Sequence, residues 1–141
     1  MSQYIEGPTK TFVADEAIAA AGRIGGARRD IGVLAVTSAD RLNAGWTAAQ
    51  RERARGNPAA LSHIERLLTP LPRHCSLVTV LDGHPATLSW LGAVAGHRTI
   101  AHGVEHFWQT GTIGDLYRHF RIDRDALVAS VNGLTSGNWC E

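Results

Sequence analysis

The stretch Ser76–Thr112, SLVTVLDGHPATLSWLGAVAGHRTIAHGVEHFWQTGT, constrains the fold more tightly than any other part of the chain. SLVTVLD is a short β-branched run closed by Asp82-Gly83, the pattern of a buried strand entering a turn. Pro85 stands where a first helical residue belongs, because its fixed φ suits that place and its missing N–H is not needed there. Leu88, Leu91 and Ala95 recur at i, i+3 and i+7, one face of a helix. After Gly96 the run RTIAHGV can return as a second strand. Strand, helix and strand in that order give a right-handed βαβ unit with parallel strands.

The flanking sequence extends this plan. Residues 2–12 are broken by Gly7-Pro8 and allow at most a short edge strand. Asp15 and Glu16 open a helical run with an apolar stripe of Ala17, Ile18, Ala21 and Ile24, the acids lying at the positive end of the helix dipole. IGVLAVT (31–37) reads as a continuous apolar strand of the kind covered on both faces in an α/β sheet. Ser38 and Asp40 mark a helix start, and that helix runs through Trp46 to a stop at Gly56-Asn57-Pro58. Ser62-His63-Ile64-Glu65 fits a capping box, with Ile64, Leu67, Leu68 and Leu71 at helical spacing behind it and Pro70 and Pro72 as the stop. Thr112–Asp115 opens a further helix with Leu116, Tyr117 and Phe120 on its apolar side. Asp123 is placed to cap a last one, whose apolar face is Leu127, Val131 and Leu134. Three strands separated by helices predict a three-layer αβα fold with a mostly parallel mixed sheet, in one domain over 1–141 that includes a poorly patterned start (1–12) and a polar tail (134–141).

Composition narrows the function. With 44% hydrophobic and 19% charged residues, 141 residues are expected to fold around a packed core. A net charge of +1 gives no general attraction to nucleic acid or to a membrane surface, so neither is an expected partner. Cys75 and Cys140 make neither a disulfide framework nor a CxxC pair. The sequence shows no cationic start followed by an apolar export segment and no apolar run of spanning length, and a cytoplasmic protein is the expectation.

Four separated blocks point to a family. LAVTS (34–38), SHIERLL (62–68), VTVLDGHPATLSWLG (78–92) and GVEHFxQTGTIGDLYRHFRID (103–123) resemble, in order, the C-terminal domain of transketolase-type thiamine-diphosphate enzymes. The likeness is nearest to the homodimeric pyruvate dehydrogenase decarboxylating component. It implies a five-stranded mixed sheet with helices on both faces, an assembly role in a homodimer, and thiamine-diphosphate-binding domains or subunits as partners. It also implies that thiamine diphosphate and Mg²⁺ belong to those partners in the parent enzyme and that this chain alone binds neither. The sequence has no Gly-Asp-Gly segment followed by an asparagine of the thiamine-diphosphate type, so the chain by itself is expected to be inactive: a piece of a larger enzyme, a split-off subunit or a remnant. It departs from the family in two places. TKTFVADEAI reaches the first helix without the family's clear strand, and Phe107-Trp108-Gln109 stands where the family reads Phe-Gly-Gln.

Candidate sites follow from the strand plan. Ligands in open α/β sheets sit outside the carboxyl ends of the strands, and those ends carry Thr37, Ser38 and Asp40; Asp82 and His84; and Glu105 and His106. A free-standing small-ligand-binding protein would use them, although the same residue types routinely cap helices and close turns. Trp46, Trp90, Phe107, Trp108 and Gln109 are interface candidates, since tryptophan is enriched at interfaces. His102, Glu105 and His106 spell HxxEH, which serves a zinc peptidase only when both histidines lie one turn apart on a helix; Gly103 and Val104 after a β-like run oppose that, and no metal site is assigned. Arg51, Arg53 and Arg55 read as a solvated helix face or as a face turned to an acidic partner.

Overall fold

The computed structural model describes residues 12–25, 31–106 and 110–136. They fall into two compact units, one drawn from Met1–Val33 and His106–Glu141 and the other spanning Leu34–Glu105. The second unit holds the βαβ element. Strands β1 (Ser76–Val80) and β2 (Arg98–His102) pair in parallel, in a register that sets Ser76 against Arg98 and Val80 against His102. Alternation places Leu77, Thr79 and Leu81 on one face, and Leu77 and Leu81 pack there against the core.

The crossover is helical but not one continuous helix. It divides into α4 (Ala86–Ser89) and α5 (Leu91–Ala95), with Trp90 between them at φ −63°, ψ −20°. Leu88 N–H donates to Pro85 C=O and Ala93 N–H to Trp90 C=O, so both ends of the join are wound at the tighter three-residue spacing. Leu88 and Leu91 are buried as their spacing predicts. Two glycines are required by packing. A Cβ on Gly92 would strike the Thr99 side chain, and one on Gly103 would strike the Gly83 carbonyl oxygen.

The remaining elements of this unit are α2 (Ala39–Ala54) and α3 (His63–Leu68). At α3 the capping box forms in full. Ser62 Oγ accepts from Glu65 N–H, and the Glu65 carboxylate accepts from Ser62 N–H at 2.7 Å. Ile64 and Leu68 are buried and, with Leu88 and Leu91, make the core, against which Val36, Leu42, Trp46 and Val94 pack. Burying each such aliphatic side chain stabilises the unit by about 1.5–3 kcal/mol. Leu67 and Leu71, given the same face by spacing, are each 40% exposed. The helix ends at Leu68, so the 3.6-residue period no longer governs Leu71 beyond Pro70.

In the other unit α1 (Phe12–Gly25) packs against α7 (Arg124–Ser136), and α6 (Ile113–His119) precedes α7. Helix α1 opens three residues before Asp15, and among its described side chains Ala20 and Ile24 are buried, while Ile18 is 53% exposed. Thr112 caps α6 as its sequence predicts, accepting from Asp115 N–H. The cap expected from Asp123 at α7 is supplied instead by another helix: Glu16 accepts from Arg124 N–H at 2.7 Å, and Arg23 pairs with Asp125 at 2.6 Å. Helix α7 continues past Gly133 into the expected tail.

The main correction concerns residues 31–37. They form no strand, and Val33 and Leu34 are 56% and 51% exposed. Strand propensity reflects packing on neighbouring strands and not an intrinsic backbone preference, so an apolar run without a ladder partner gains nothing from extended pairing. Among the described residues the sheet therefore has two strands, where three were expected. The class is α/β with a small parallel sheet. The edge strand expected within residues 2–12 and the polar tail beyond Ser136 lie outside the described residues.

Candidate functional site

The carboxyl ends of β1 and β2 are held together by their loops. Val104 N–H donates to Gly83 C=O at 2.8 Å, and buried Gly103 lies against Gly83 and Pro85. Asp82 and His84 on one loop and Glu105 on the other are thereby brought to one end of the sheet, all three exposed, while His106 is exposed and falls in the other compact unit. His84 is turned inward on its own backbone, its Nδ1 accepting from Ala86 N–H at 3.2 Å, which is the capping behaviour such residues show at a helix start. Thr37, Ser38 and Asp40 are exposed at the start of α2. Ser38 holds the N-cap position with no side-chain bond to the helix, and its carbonyl accepts from Leu42 N–H. The structure thus joins Asp82 and His84 to Glu105 through their loops. No hydrogen bond or ion pair among the described residues joins the first group to them.

The HxxEH stretch has no helix to stand on. His102 is the last residue of β2, and residues 103–106 are irregular. Among the described residues no group of three His, Cys, Asp or Glu side chains is arranged to hold a metal ion.

Trp46 and Trp90 are neighbours. Their rings stack at 5.3 Å between centroids and 23° between planes, and both pack on the core. Trp90 Nε1 donates to Thr87 C=O at 2.9 Å, so its polar edge is satisfied inside the fold. The pair ties α2 to the α4–α5 join, a packing role. Phe107, Trp108 and Gln109 lie outside the described residues.

The arginines of α2 divide. Arg55 pairs with Glu52 and is exposed, as is Arg51, whereas Arg53 turns inward. Arg53 Nη2 donates to Glu65 Oε1 at 2.7 Å and Nη1 to Ala60 C=O at 2.7 Å, joining the end of α2 to the start of α3. Burial works to raise the Glu65 carboxyl. The Arg53 hydrogen bond, the Ser62 backbone and side-chain bonds and the Arg53 charge outweigh it and hold Glu65 below the ordinary glutamate value. Sequence reading found the box but not its third member, since nothing local marks which of three arginines reaches twelve residues ahead.

One concave feature lies in this unit beside that network. A half-open cleft of about 210 Å³ between α3 and α5 is lined by Leu61, Glu65, Thr69, Leu71, Arg73, Val94 and Ala95. Leu61 is 55% exposed and Leu71 40%. Helical spacing assigned Leu71 to the core; the signal that it belongs elsewhere is the Pro70–Pro72 pair around it.

Against this geometry, comparison with family models, curated proteins and solved structures finds no match for the chain. Among the described residues no helix is long and apolar enough to cross a membrane.

Proposed function

We propose that the chain is an assembly domain of a thiamine-diphosphate enzyme, of the type that follows the cofactor-binding domains in transketolase-like proteins and nearest in likeness to the pyruvate dehydrogenase decarboxylating component. The observation that supports this most is the coincidence of block 78–92 with β1, the Asp82-Gly83 turn and the start of the helical crossover in a parallel βαβ unit. The finer architecture belongs to the same reading: a three-layer αβα domain around a larger, mostly parallel sheet. It draws support from the apolar second face of the sheet, Val78, Val80 and Ile100, which is only half-buried, as a layer awaiting cover would be.

In this reading thiamine diphosphate and Mg²⁺ are held by the partner domains, and what supports it is that the sequence lacks the Gly-Asp-Gly and asparagine pattern. No chemical step is therefore assigned to this chain. In the assembled enzyme the cofactor would supply 2-oxo acid decarboxylation or two-carbon transfer, and this domain would hold subunits in register, as a homodimer or against cofactor-binding subunits. Titration calorimetry with thiamine diphosphate and Mg²⁺ should give no heat with the chain alone. Cross-linking in the source cells should recover a thiamine-diphosphate-binding polypeptide. Tight cofactor binding by the chain alone, or partners of unrelated fold only, would overturn the reading.

One observation favours a second reading, a small-ligand-binding protein. The Val104–Gly83 bond gathers Asp82, His84 and Glu105 at one sheet end. A ligand held there would raise the melting temperature by mass action, and substituting Asp82 and His84 together would abolish the rise.

A further inference from the structure

The cleft between α3 and α5 combines three properties that the fold itself does not explain. Its apolar wall is left partly uncovered: Leu61 is 55% and Leu71 40% exposed, beside half-buried Val94 and Ala95. Its acid is already neutralised, because Glu65 is bonded to Arg53 and to Ser62, so the wall does not repel an anion. Its cation is free: among the described residues Arg73 has no hydrogen-bonded or ionic partner, and the run Arg66–His74 carries two exposed arginines and an exposed histidine with no acid.

We propose that this cleft receives a large apolar side chain presented by an acidic segment of a partner protein. Size decides against a cofactor or free metabolite, since about 210 Å³ of half-open space is smaller than the enclosed 300–1,000 Å³ that such ligands occupy, yet it suits one leucine-sized or aromatic anchor. Charge decides against a second copy docking through this same face, because the segment Arg66–His74 beside the cleft offers no acid to meet Arg73. Shape decides against a lipid surface. Helix α3 has six residues and the leucines flank a concavity, whereas membrane-surface helices are long and present a convex apolar face. The acidic flanks of the segment pair with Arg73, and the anchor covers Leu61 and Leu71, an arrangement of apolar centre and polar rim. The inference rests on the assembly reading only in needing a polypeptide partner, and it does not require that partner to bind thiamine diphosphate.

The test uses the full chain, isotope-labelled for NMR and titrated with a synthetic amphipathic peptide of glutamate and leucine. The same peptide with every glutamate changed to lysine, and phosphatidylglycerol vesicles, serve as the other arms. The expected result is saturable shifts centred on Leu61, Thr69, Leu71, Arg73, Val94 and Ala95 with the acidic peptide alone. Arg73→Glu should weaken that binding about fivefold, a reversal at a partly exposed pair. Leu71→Ser should weaken it further, and both exposed positions should leave the melting curve unchanged. Equal binding of the lysine peptide, response to vesicles only, shifts centred elsewhere, peptide-free concentration-dependent shifts of the same residues, or no shift at millimolar peptide would each overturn the proposal. Such a failure would leave assembly through another face standing. Failure of the cross-linking experiment above would leave this peptide result untouched.

Discussion

Replacing Arg121 by glycine should stabilise this protein. Arg121 is the one non-glycine residue with positive φ among those described, at 57°. It occupies the left-handed position after α6, where Arg121 N–H donates to Arg118 C=O at 3.2 Å and Ile122 N–H to Tyr117 C=O at 2.9 Å. Those two bonds are the Schellman arrangement that satisfies the last helical carbonyls, and Ile122, fully buried, is its apolar anchor. A residue with a Cβ pays about 1–2 kcal/mol to sit in that conformation, and glycine gives back about 0.5–1 kcal/mol through its larger unfolded-state freedom. Arg121 is exposed and makes no side-chain bond among the described residues, so its removal costs no partner. The net gain for Arg121→Gly is about 0.5–1 kcal/mol, or about 1–4 °C in melting temperature for a chain of this length.

Urea unfolding followed by circular dichroism gives the free energy, and two further variants isolate the cause. Arg121→Ala keeps the left-handed strain and should gain nothing. Gly96→Ala introduces the same strain at the end of α5, where Gly96 has φ 75° and a Cβ would meet no atom within 4 Å, so it should lose about 1 kcal/mol from backbone conformation alone. A destabilised Arg121→Gly, or an Arg121→Ala as stable as the glycine variant, would refute the reasoning.

The other expectations are these. Glu65 has a depressed carboxyl, so its contribution is complete above the unfolded value of about 4.3 and disappears as pH falls through its lower folded value; Glu65→Gln keeps the capping geometry, should cost about 1–3 kcal/mol at neutral pH, and should flatten the acid limb of the stability curve measured by urea titration. Asp115, held low by Thr112 and Arg118 on the surface, should titrate below the usual aspartate range in NMR while its loss barely changes stability. Gly103→Ala should destabilise by about 1–3 kcal/mol, because the new methyl meets backbone that cannot rotate away, and should speed amide exchange at Val104, whose N–H holds the two loops together. His97→Leu should stabilise by about 1 kcal/mol in denaturant unfolding, since the ring is 5% exposed and neither nitrogen has a partner.

What the sequence disclosed is sorted by distance along the chain. The capping box at Ser62, the cap at Thr112, the stop at Gly96 and the strand–turn–helix–strand order of Ser76–His102 all depend on residues within a few positions of one another, and each is found, the one expected crossover helix dividing into α4 and α5. What failed depends on partners far away. IGVLAVT is a good strand by composition, but a strand needs a ladder, and composition does not say whether one is offered. The cap on α7 comes from Glu16, more than a hundred residues earlier, and the partner of Glu65 is one arginine of three. The candidate site divides the same way. The strand ends were legible because a βαβ unit implies them, whereas the α3–α5 cleft was hidden by a helical period that Pro70 had already cut.

The two Schellman turns show how local chemistry and global fit trade places. After α5 the left-handed position is filled by glycine, and the following position, which ordinarily buries an apolar side chain, holds His97; His97 N–H donates to Gly92 C=O at 3.0 Å to close the turn. After α6 the apolar anchor is right and the left-handed residue is the misfit, Arg121. Each turn therefore satisfies one requirement and violates the other, and each violation has a simple remedy that would raise stability. In both the backbone bonds form regardless, so the turn survives a misfit of about 1 kcal/mol as long as the buried neighbour or the glycine holds the other half. The Leu34–Glu105 unit can carry that misfit because Gly92, its hydrogen-bond acceptor, is locked against Thr99 by packing; moving His97 would mean moving β2. If His97→Leu and Gly96→Ala are combined, their effects should fail to add, since adjacent residues close one turn, while His97→Leu and Arg121→Gly, in separate units, should add within about 0.5 kcal/mol.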